Sequence, residues 1–180
     1  ENHQAIILSD YAKGALTSDL IEEIKNRAAS QGALVAYDPK PKRRLAHRGL
    51  GLLTPNRSES LALAGLELEP HQPYPAEEVC RLIWELHEPR HLIITLGGEG
   101  MLLSEEGRVL KIIPTYAREV FDVSGAGDTV IAALTASLAA GAKLEEAAHF
   151  ANTAAGVVVA KLGTATASPV EILHYEAANE

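Results

Sequence analysis

The sequence predicts an α/β fold with a mainly parallel sheet. Short apolar runs at residues 5–8 and 33–37 flank a stretch of helical periodicity over residues 18–30. A strand, a helix and a strand at this spacing form a βαβ unit, which requires parallel strands and a right-handed crossover. The length of 180 residues suits one compact domain, residues 1–180, with a substantial core.

The composition argues against several classes of function. A net charge of −8 does not suit a general nucleic-acid surface. The apolar runs 129–142 and 150–160 are shorter than the roughly 20 residues of a membrane span. Cys80 is the only cysteine, so an internal disulfide is excluded and we expect a reducing, cytoplasmic location. The scattered histidines form no zinc-type cluster.

The first helix has a start and an end that the sequence marks. Thr17 or Ser18 can cap it, and Gly32 ends it. The apolar positions of its inner face are Leu20, Ile21 and Ile24. These features place a helix between the first two strands.

Asp38, Pro39 and Lys40 stand where the second strand ends. In open α/β sheets, functional groups gather outside the carboxyl ends of the strands. A basic loop follows, with Lys40, Lys42, Arg43, Arg44 and Arg48. Most of its charges are typical of a solvated face, but the position of Lys40 at the strand end favours a role in a site.

A third strand is predicted over residues 49–53, followed by Thr-Pro-Asn-Arg-Ser-Glu at 54–59. In one interpretation, Asn56 caps a helix and Glu59 completes a capping box. In another, Asn56 and Glu59 are hard oxygen ligands that organise a hydrated Mg²⁺. Both interpretations can hold at once.

The middle of the chain predicts a loop over 65–75, a helix over 76–87 and a strand over 91–95. The helix is expected to bury Val79, Cys80, Ile83, Trp84 and Leu86. Two further strands, 101–104 and 108–113, form a hairpin around Glu106 and Gly107. The glycines at 97–100 are typical of an entry to such a hairpin.

The stretch 120–141 is the predicted centre of the site. Ser124 can cap a helix whose first N–H groups fall on Gly125–Asp128, and unpaired N–H groups at a helix start bind anions. Asp128, in the first turn, would be ionised and able to accept a proton. The alternative is a capped glycine turn in which Asp128 only complements the helix dipole.

A second long helix is predicted over residues 144–161, with a small, apolar face. Asn152 lies in that face, and it is either a candidate adenine contact or a satisfied core amide. Residues 163–169 close the domain, and a short helix ends the chain.

The signature Asp-Val-Ser-Gly-Ala-Gly-Asp at 122–128 resembles that of the ribokinase-like (PfkB) carbohydrate kinases. The resemblance implies a three-layer fold, Asp128 as the catalytic base, and an anion hole formed by Gly125, Ala126 and Gly127. It also ties Asn56, Arg57, Ser58 and Glu59 to Mg²⁺ and phosphate placement. The residues implied to line the nucleotide site are Thr95, Gly97, Gly98 and Gly100.

The wording of stretches 8–14, 38–40, 53–59, 120–132 and 144–164 resembles the heptose-7-phosphate kinase branch of that family. This implies transfer of the ATP γ-phosphate to the anomeric hydroxyl of a heptose 7-phosphate, with Lys40 and, more weakly, Lys13 contacting phosphate. Asp122 and Ser124, with backbone near 160–167, resemble a monovalent-cation site for K⁺. Alternatives are another ribokinase-like sugar or nucleoside kinase, or a non-catalytic nucleotide-binding module.

Complete members of the family also carry an amino-terminal half with further strands, sugar contacts and a β lid, and they can form homodimers. No stretch of this sequence resembles that half. We therefore expect a truncated fold with an exposed sheet edge, and little or no kinase activity from these 180 residues alone.

Overall fold

The computed structural model describes residues 3–40, 47–69, 71–117 and 120–177. A six-stranded sheet follows the order of the chain, β1-β2-β3-β4-β5-β6. The strands are β1 (Ala5–Ser9), β2 (Leu34–Asp38), β3 (Leu52–Leu53), β4 (His91–Thr95), β5 (Met101–Glu105) and β6 (Arg108–Ile113). The first four strands are parallel, whereas β5 and β6 are antiparallel to their neighbours.

The described residues form six helices, of which the first five pack on the two faces of the sheet and the sixth packs against the fifth. They are α1 (Ser18–Gln31), α2 (Arg57–Ala64), α3 (Ala76–His87), α4 (Ala126–Ala139), α5 (Leu144–Val159) and α6 (Pro169–Ala177). Successive residues of β2 contact helices on opposite faces of the sheet. Val35 and Tyr37 pack in the core with α1, α2 and α3, whereas Ala36 packs with α4 and α5. Since strand side chains alternate between faces, this arrangement confirms the predicted three-layer α/β fold.

Local signals place the ends of α1 and α2 as predicted. The Thr17 hydroxyl accepts a hydrogen bond from the Leu20 N–H at 3.2 Å, and Gly32 ends α1 in the left-handed conformation. Asn56 and Glu59 form the predicted capping box at the start of α2. Such caps satisfy N–H groups that have no partner inside the helix.

Three apolar side chains are less buried than the helical pattern predicts. Trp84 and Leu86 in α3 and Leu20 in α1 are exposed. In α3, Val79, Cys80 and Ile83 are fully buried in the core, and Trp84 lies at its boundary, against Gly107 of the β5–β6 turn. The third strand is also shorter than predicted, because only Leu52 and Leu53 pair within the sheet.

The basic loop is only partly covered by the described residues. Lys42, Arg43 and Arg44 lie outside them. Arg48 forms an exposed ion pair with Glu88, which agrees with a solvated face. Within the described part of the chain, none of the helices is long and apolar enough to cross a membrane.

A buried histidine makes the stability of the fold sensitive to acid. The His47 ring stacks on His87 with centroids 4.5 Å apart and meets the Tyr37 ring edge-on at 4.8 Å. Burial, followed by the nearby His87 and Lys25, lowers the pKa of His47 from 6.5 to about 3. The folded chain therefore holds this ring neutral, whereas the unfolded chain takes up a proton below about pH 6.5.

The contribution of His47 to stability is complete above the unfolded pKa and is lost as pH falls towards the folded pKa. We expect the free energy of unfolding to fall by about 2 kcal/mol from this group between about pH 7 and pH 5. Urea denaturation of the wild type and His47→Phe, which keeps a ring but cannot titrate, measures the difference. Other titrating groups act in both proteins, so equal pH dependence of the two would contradict the prediction.

Candidate active site

Several residues of the candidate site lie where the carboxyl ends of the parallel strands meet the start of α4. Asp10 and Tyr11 follow β1, Asp38 ends β2, and Asn56 follows β3. Asn56 pairs with Thr95 as a short parallel bridge, and the Thr95 N–H donates to the Pro55 carbonyl at 3.0 Å. The topology thus brings separate strand ends together at one edge of the sheet.

Asp128 lies in the first turn of α4, as the sequence predicts. Its exposed carboxylate accepts a hydrogen bond from the Tyr11 hydroxyl, with 3.1 Å between the Tyr11 oxygen and Asp128 Oδ1. The other carboxylate oxygen, Oδ2, makes no hydrogen bond within the described part of the chain. The carboxylate can therefore be held by one oxygen and accept a proton on the other.

Tyr11 is a site residue that our sequence analysis missed. It sits in a turn anchored by Asp10, which is 2% exposed. The Asp10 carboxylate accepts from the Ala12 N–H at 2.8 Å and from the Tyr37 hydroxyl at 3.3 Å. Ala12 adopts a left-handed conformation, with φ 55°. The available signals were the position of Tyr11 just after a predicted strand and its place in stretch 8–14.

The glycine turn before α4 differs from the prediction in its cap. Ser124 does not cap the helix; Gly125 occupies the N-cap position with φ 80° and provides no side-chain bond. The Ser124 N–H donates instead to Asp122 Oδ1 at 2.8 Å. The second oxygen of Asp122 accepts from the Gly163 N–H at 3.2 Å, so a distant segment also holds this turn.

Two of the three predicted anion-hole amides are open. The Ala126 N–H donates to the Val123 carbonyl at 3.2 Å. The N–H groups of Gly125 and Gly127 have no hydrogen-bond partner among the described residues. A methyl group added at Gly127 would meet no atom within 4 Å. This end of α4 therefore offers donors and space beside Asp128.

Asp122 ties the glycine turn to the segment after α5. Hydrogen bonds from Ser124 and then from Gly163 lower the pKa of the Asp122 carboxyl. The Phe121 N–H also donates to the Val159 carbonyl at 2.8 Å. Asp122 and Ser124 thus lie beside the backbone near 160–167, where the sequence predicts a monovalent cation.

A second group of charges surrounds Lys40. Its ammonium lies 2.6 Å from Glu59 Oε1 and 3.6 Å from Asp38 Oδ2. Burial raises the pKa of Asp38 to about 6 although Lys40 opposes the rise, and the negative charges of Glu59 and Asp128 raise it further. Burial lowers the pKa of Lys40, but its bonds to Glu59 and Asp38 outweigh this and leave the pKa raised. Lys40, Glu59 and Asp128 therefore share one electrostatic environment with Asp38, which we had not predicted as a site residue.

The helix start at Asn56 carries two further predicted residues. The Ser58 hydroxyl donates to Asn56 Oδ1 at 2.8 Å. Arg57 forms an ion pair with Glu99 and lies over the Tyr74 ring, 5.1 Å from its centroid. Arg57 thus connects α2 with the glycine turn at 97–99.

The residues present suit Mg²⁺ that retains its water ligands. The described residues contain no cluster of three or more His, Cys, Asp or Glu side chains able to hold a metal. Mg²⁺ is commonly bound through one or two carboxylates and the substrate phosphates. Asp38 and Glu59, on either side of Lys40, provide oxygen donors of that kind.

Comparison with known proteins decides the family. The model of the pfkB family carbohydrate kinases matches residues 1–171. The chain belongs to this family. The matched range includes the turn that carries Asp128 and the two open amides.

The relatives of this pfkB chain include the bifunctional protein HldE of Klebsiella pneumoniae, which is 49% identical over 168 residues. HldE of Escherichia coli O9:H4 is 47% identical over 168 residues. Each alignment covers 93% of the chain but 34% of the relative. The chain thus spans about a third of the length of these relatives.

Solved structures confirm the ribokinase-like fold of this pfkB chain. Ribokinase from Thermotoga maritima superposes with a TM-score of 0.76 at 25% identity, covering 97% of this chain and 57% of ribokinase. Phosphofructokinase-2 from Escherichia coli in complex with potassium has a TM-score of 0.78 at 21% identity, with coverage of 97% and 57%. The described fold corresponds to somewhat more than half of either kinase.

The glycines after β4 separate into two kinds. Gly97 and Gly98 form an exposed 3₁₀ turn, and a methyl group added at either would meet no atom within 4 Å. Gly100 is buried, and its φ of 100° brings it against the Ile113 carbonyl. Packing alone accounts for Gly100, whereas Gly97, Gly98 and Thr95 remain candidates for nucleotide contact.

Asn152 and Lys13 stand apart from the other predicted residues. Asn152 is 3% exposed, and its side-chain amide donates to the Pro114 carbonyl at 2.6 Å. This contact, together with the burial of the side chain, favours the satisfied core amide over an adenine contact. Lys13 is exposed in the turn between β1 and α1, near Tyr11 but without a direct contact to Asp128.

Proposed function

We propose that this chain carries the catalytic base and the ATP-binding part of a sugar kinase that phosphorylates heptose 7-phosphate at its anomeric hydroxyl. The observation that carries the proposal is the position of the Asp128 carboxylate beside the open Gly125 and Gly127 amides, in the pfkB signature. The choice of heptose rests on the resemblance of stretches 8–14, 38–40 and 144–164 to that branch. It agrees with the similarity to HldE.

In the proposed reaction, the sugar hydroxyl oxygen forms a bond to the γ-phosphorus of ATP as the bond to ADP breaks. Asp128 accepts the hydroxyl proton on Oδ2 while Tyr11 holds Oδ1. The Gly125 and Gly127 amides donate to the oxygens of the transferring group, where negative charge must be stabilised. Mg²⁺, held near Asn56, Glu59 and Asp38, would neutralise phosphate charge when bound.

We further propose that Lys40 contacts phosphate and that K⁺ binds beside Asp122 and the backbone near 160–167. Lys40 is suited because its flexible stem lets a compact charge move. Asp122 is suited because its carboxylate already organises the adjoining loop. A potassium complex of Escherichia coli phosphofructokinase-2, which has the same fold, makes K⁺ the cation to test first.

Nucleotide binding by the 180-residue chain tests the proposal directly. On titration with Mg·ATP, we expect amide resonances of residues 97–99 and 125–128 to shift, because these turns would meet the nucleotide and its phosphates. Adenosine should leave residues 125–128 unperturbed, since it has no phosphate to bind at the start of α4. Shifts confined to other surfaces, or none with Mg·ATP, would contradict the proposal.

We also propose that the chain alone transfers little or no phosphate to heptose 7-phosphate. The sequence contains no stretch that resembles the family's sugar-contacting half, and β1 has an exposed Ile7 at the sheet edge. ADP release in the presence of the sugar measures this. Sustained turnover would show that the sugar site is contained in these residues, whereas ATP binding without turnover fits the proposal.

The main alternative is a pfkB kinase for another sugar or a nucleoside. Such a kinase would use the same base, the same open amides and the same Lys40 group. The two hypotheses therefore differ only in the substrate that is phosphorylated. A nucleotide-binding module without catalysis is less favoured, because Asp128 is present and positioned by Tyr11. Binding alone would not require that contact.

A further inference from the structure

Lys40 occupies the space between two carboxylates. Its ammonium is 2.6 Å from Glu59 Oε1 and 3.6 Å from Asp38 Oδ2, and the three side chains are only 35%, 9% and 15% exposed respectively. A positive charge is therefore already present where two carboxylates of the proposed Mg²⁺ site come together.

Both oxygens of Glu59 are engaged in this arrangement. Oε2 accepts from the Asn56 N–H at 2.8 Å as part of the capping box, and Oε1 accepts from Lys40. The capping contact fixes the carboxylate on α2, so Glu59 cannot turn away from Lys40 without losing its cap. Oε1 is the oxygen outside the capping box, so a divalent cation, or a water bound to it, would approach the oxygen that Lys40 holds.

Two cations at one carboxylate oxygen repel each other, and the repulsion is strong when water is largely excluded. The Lys40 side chain is the partner able to leave, because it is partly exposed and has a flexible four-carbon stem. It needs a new anionic partner near the carboxyl ends of the strands. The terminal phosphates of a nucleotide, bound at the start of α4, would provide one.

We propose that Lys40 and a divalent cation exclude each other at Glu59, and that nucleotide phosphate takes up the displaced Lys40 ammonium. Metal binding then depends on nucleotide: the cation binds weakly alone and tightly when phosphate holds Lys40. This counter-ion exchange deepens the proposed function and rests on it. It predicts opposite effects of Lys40 on metal binding and on nucleotide binding.

Substitution Lys40→Met separates the two effects. In the 180-residue chain, calorimetric titration with MnCl₂ alone should show affinity tightened by about fivefold, since a competing charge has been removed. Affinity for Mn·ADP should weaken by about fivefold, since a phosphate contact has been removed. A lysine with a purely structural role would weaken both, and one that only binds phosphate would leave the metal affinity unchanged; either result overturns the exchange.

Lys25→Met provides a matched control. Lys25 pairs with Glu22 at 2.7 Å within α1, so its loss also removes a lysine–glutamate pair but none of the site. We expect both affinities to stay within about twofold of the wild type, because this pair lies outside the site. A metal affinity that rises equally in this variant would overturn the proposal, because it would reflect net charge alone.

A measurement on the wild-type chain tests the exchange even if the Lys40→Met variant does not fold. The ammonium resonance of Lys40 should remain in place with low concentrations of MgCl₂ alone and shift when ADP is added with Mg²⁺. A shift with MgCl₂ alone that equals the shift with Mg·ADP would overturn the exchange. If wild-type chain binds no nucleotide at all, the proposed function fails separately, while the MnCl₂ titrations still report on competition at Glu59.

Discussion

Gly100→Ala is expected to destabilise the fold by about 3–5 kcal/mol, which is at the upper end for a single substitution. Gly100 has φ 100°, and a Cβ added there would lie 2.0 Å from the Ile113 carbonyl oxygen and 2.8 Å from Pro114 Cα. Backbone strain and steric overlap act together, because alanine rarely adopts this φ and the clashing atoms belong to the main chain. The free energy of unfolding, from urea denaturation, measures the effect.

Gly98→Ala is the matched control in the same turn. An added Cβ at Gly98 meets no atom within 4 Å, so we expect a change within about 0.5 kcal/mol. If Gly100→Ala lowered the free energy of unfolding by less than about 1 kcal/mol, the prediction would be wrong. Such a result would show that β6 can move away from the added Cβ at little cost. The two variants also distinguish packing from nucleotide binding. Reduced ATP affinity in a Gly98→Ala chain of unchanged stability would favour a nucleotide contact at this turn.

The sequence predicts those parts of the fold that depend on neighbouring residues. Thr17 and Gly32 bound α1, and Asn56 with Glu59 caps α2, because each signal acts within one turn of helix. The alternation of apolar runs likewise predicts the parallel strands. These interactions need no knowledge of distant parts of the chain.

The failed predictions depend on contacts between distant segments. Gly125 occupies the N-cap position in place of Ser124, in a turn that Asp122 ties to the distant Gly163. Trp84 is exposed because α3 reaches the core only through neighbouring positions such as Ile83. The apolar pattern of a helix indicates its buried face, but the edge of that face depends on which elements pack against it.

The candidate site shows the same division. The signature around Asp128 is local and could be found, as could the oxygen donors Asn56 and Glu59. Tyr11 lies 117 positions away from Asp128 along the chain, and the pKa of Asp38 depends on burial produced by tertiary packing. Such residues become visible only when the fold brings the strand ends together.

In a complete kinase that contains this chain, Asp128→Asn is expected to lower kcat by about 10²–10⁴-fold. This is the usual contribution of a general base. A chimaera supplies the rest of the kinase: this chain replaces the segment of Klebsiella pneumoniae HldE that it matches at 49% identity. ADP release with heptose 7-phosphate gives kcat, and the wild-type chimaera sets the reference. The affinity for ATP should stay within about threefold, because the variant alters the proton acceptor and leaves the Gly125 and Gly127 amides in place.

Substitution by asparagine removes the basic carboxylate but keeps a side chain of similar shape in the same position. Its side-chain carbonyl can still accept the Tyr11 hydrogen bond, so the geometry around α4 is kept while the ability to take a proton is removed. Asp19→Asn is the control, because Asp19 also lies in the first turn of a helix, α1. Both variants lose about 0.3–1 kcal/mol of helix-dipole stabilisation, but only Asp128→Asn should lose turnover. If the Asp128→Asn chimaera kept more than about a tenth of the wild-type kcat, the loss would be smaller than that of a general base. The proton acceptor would then be another group.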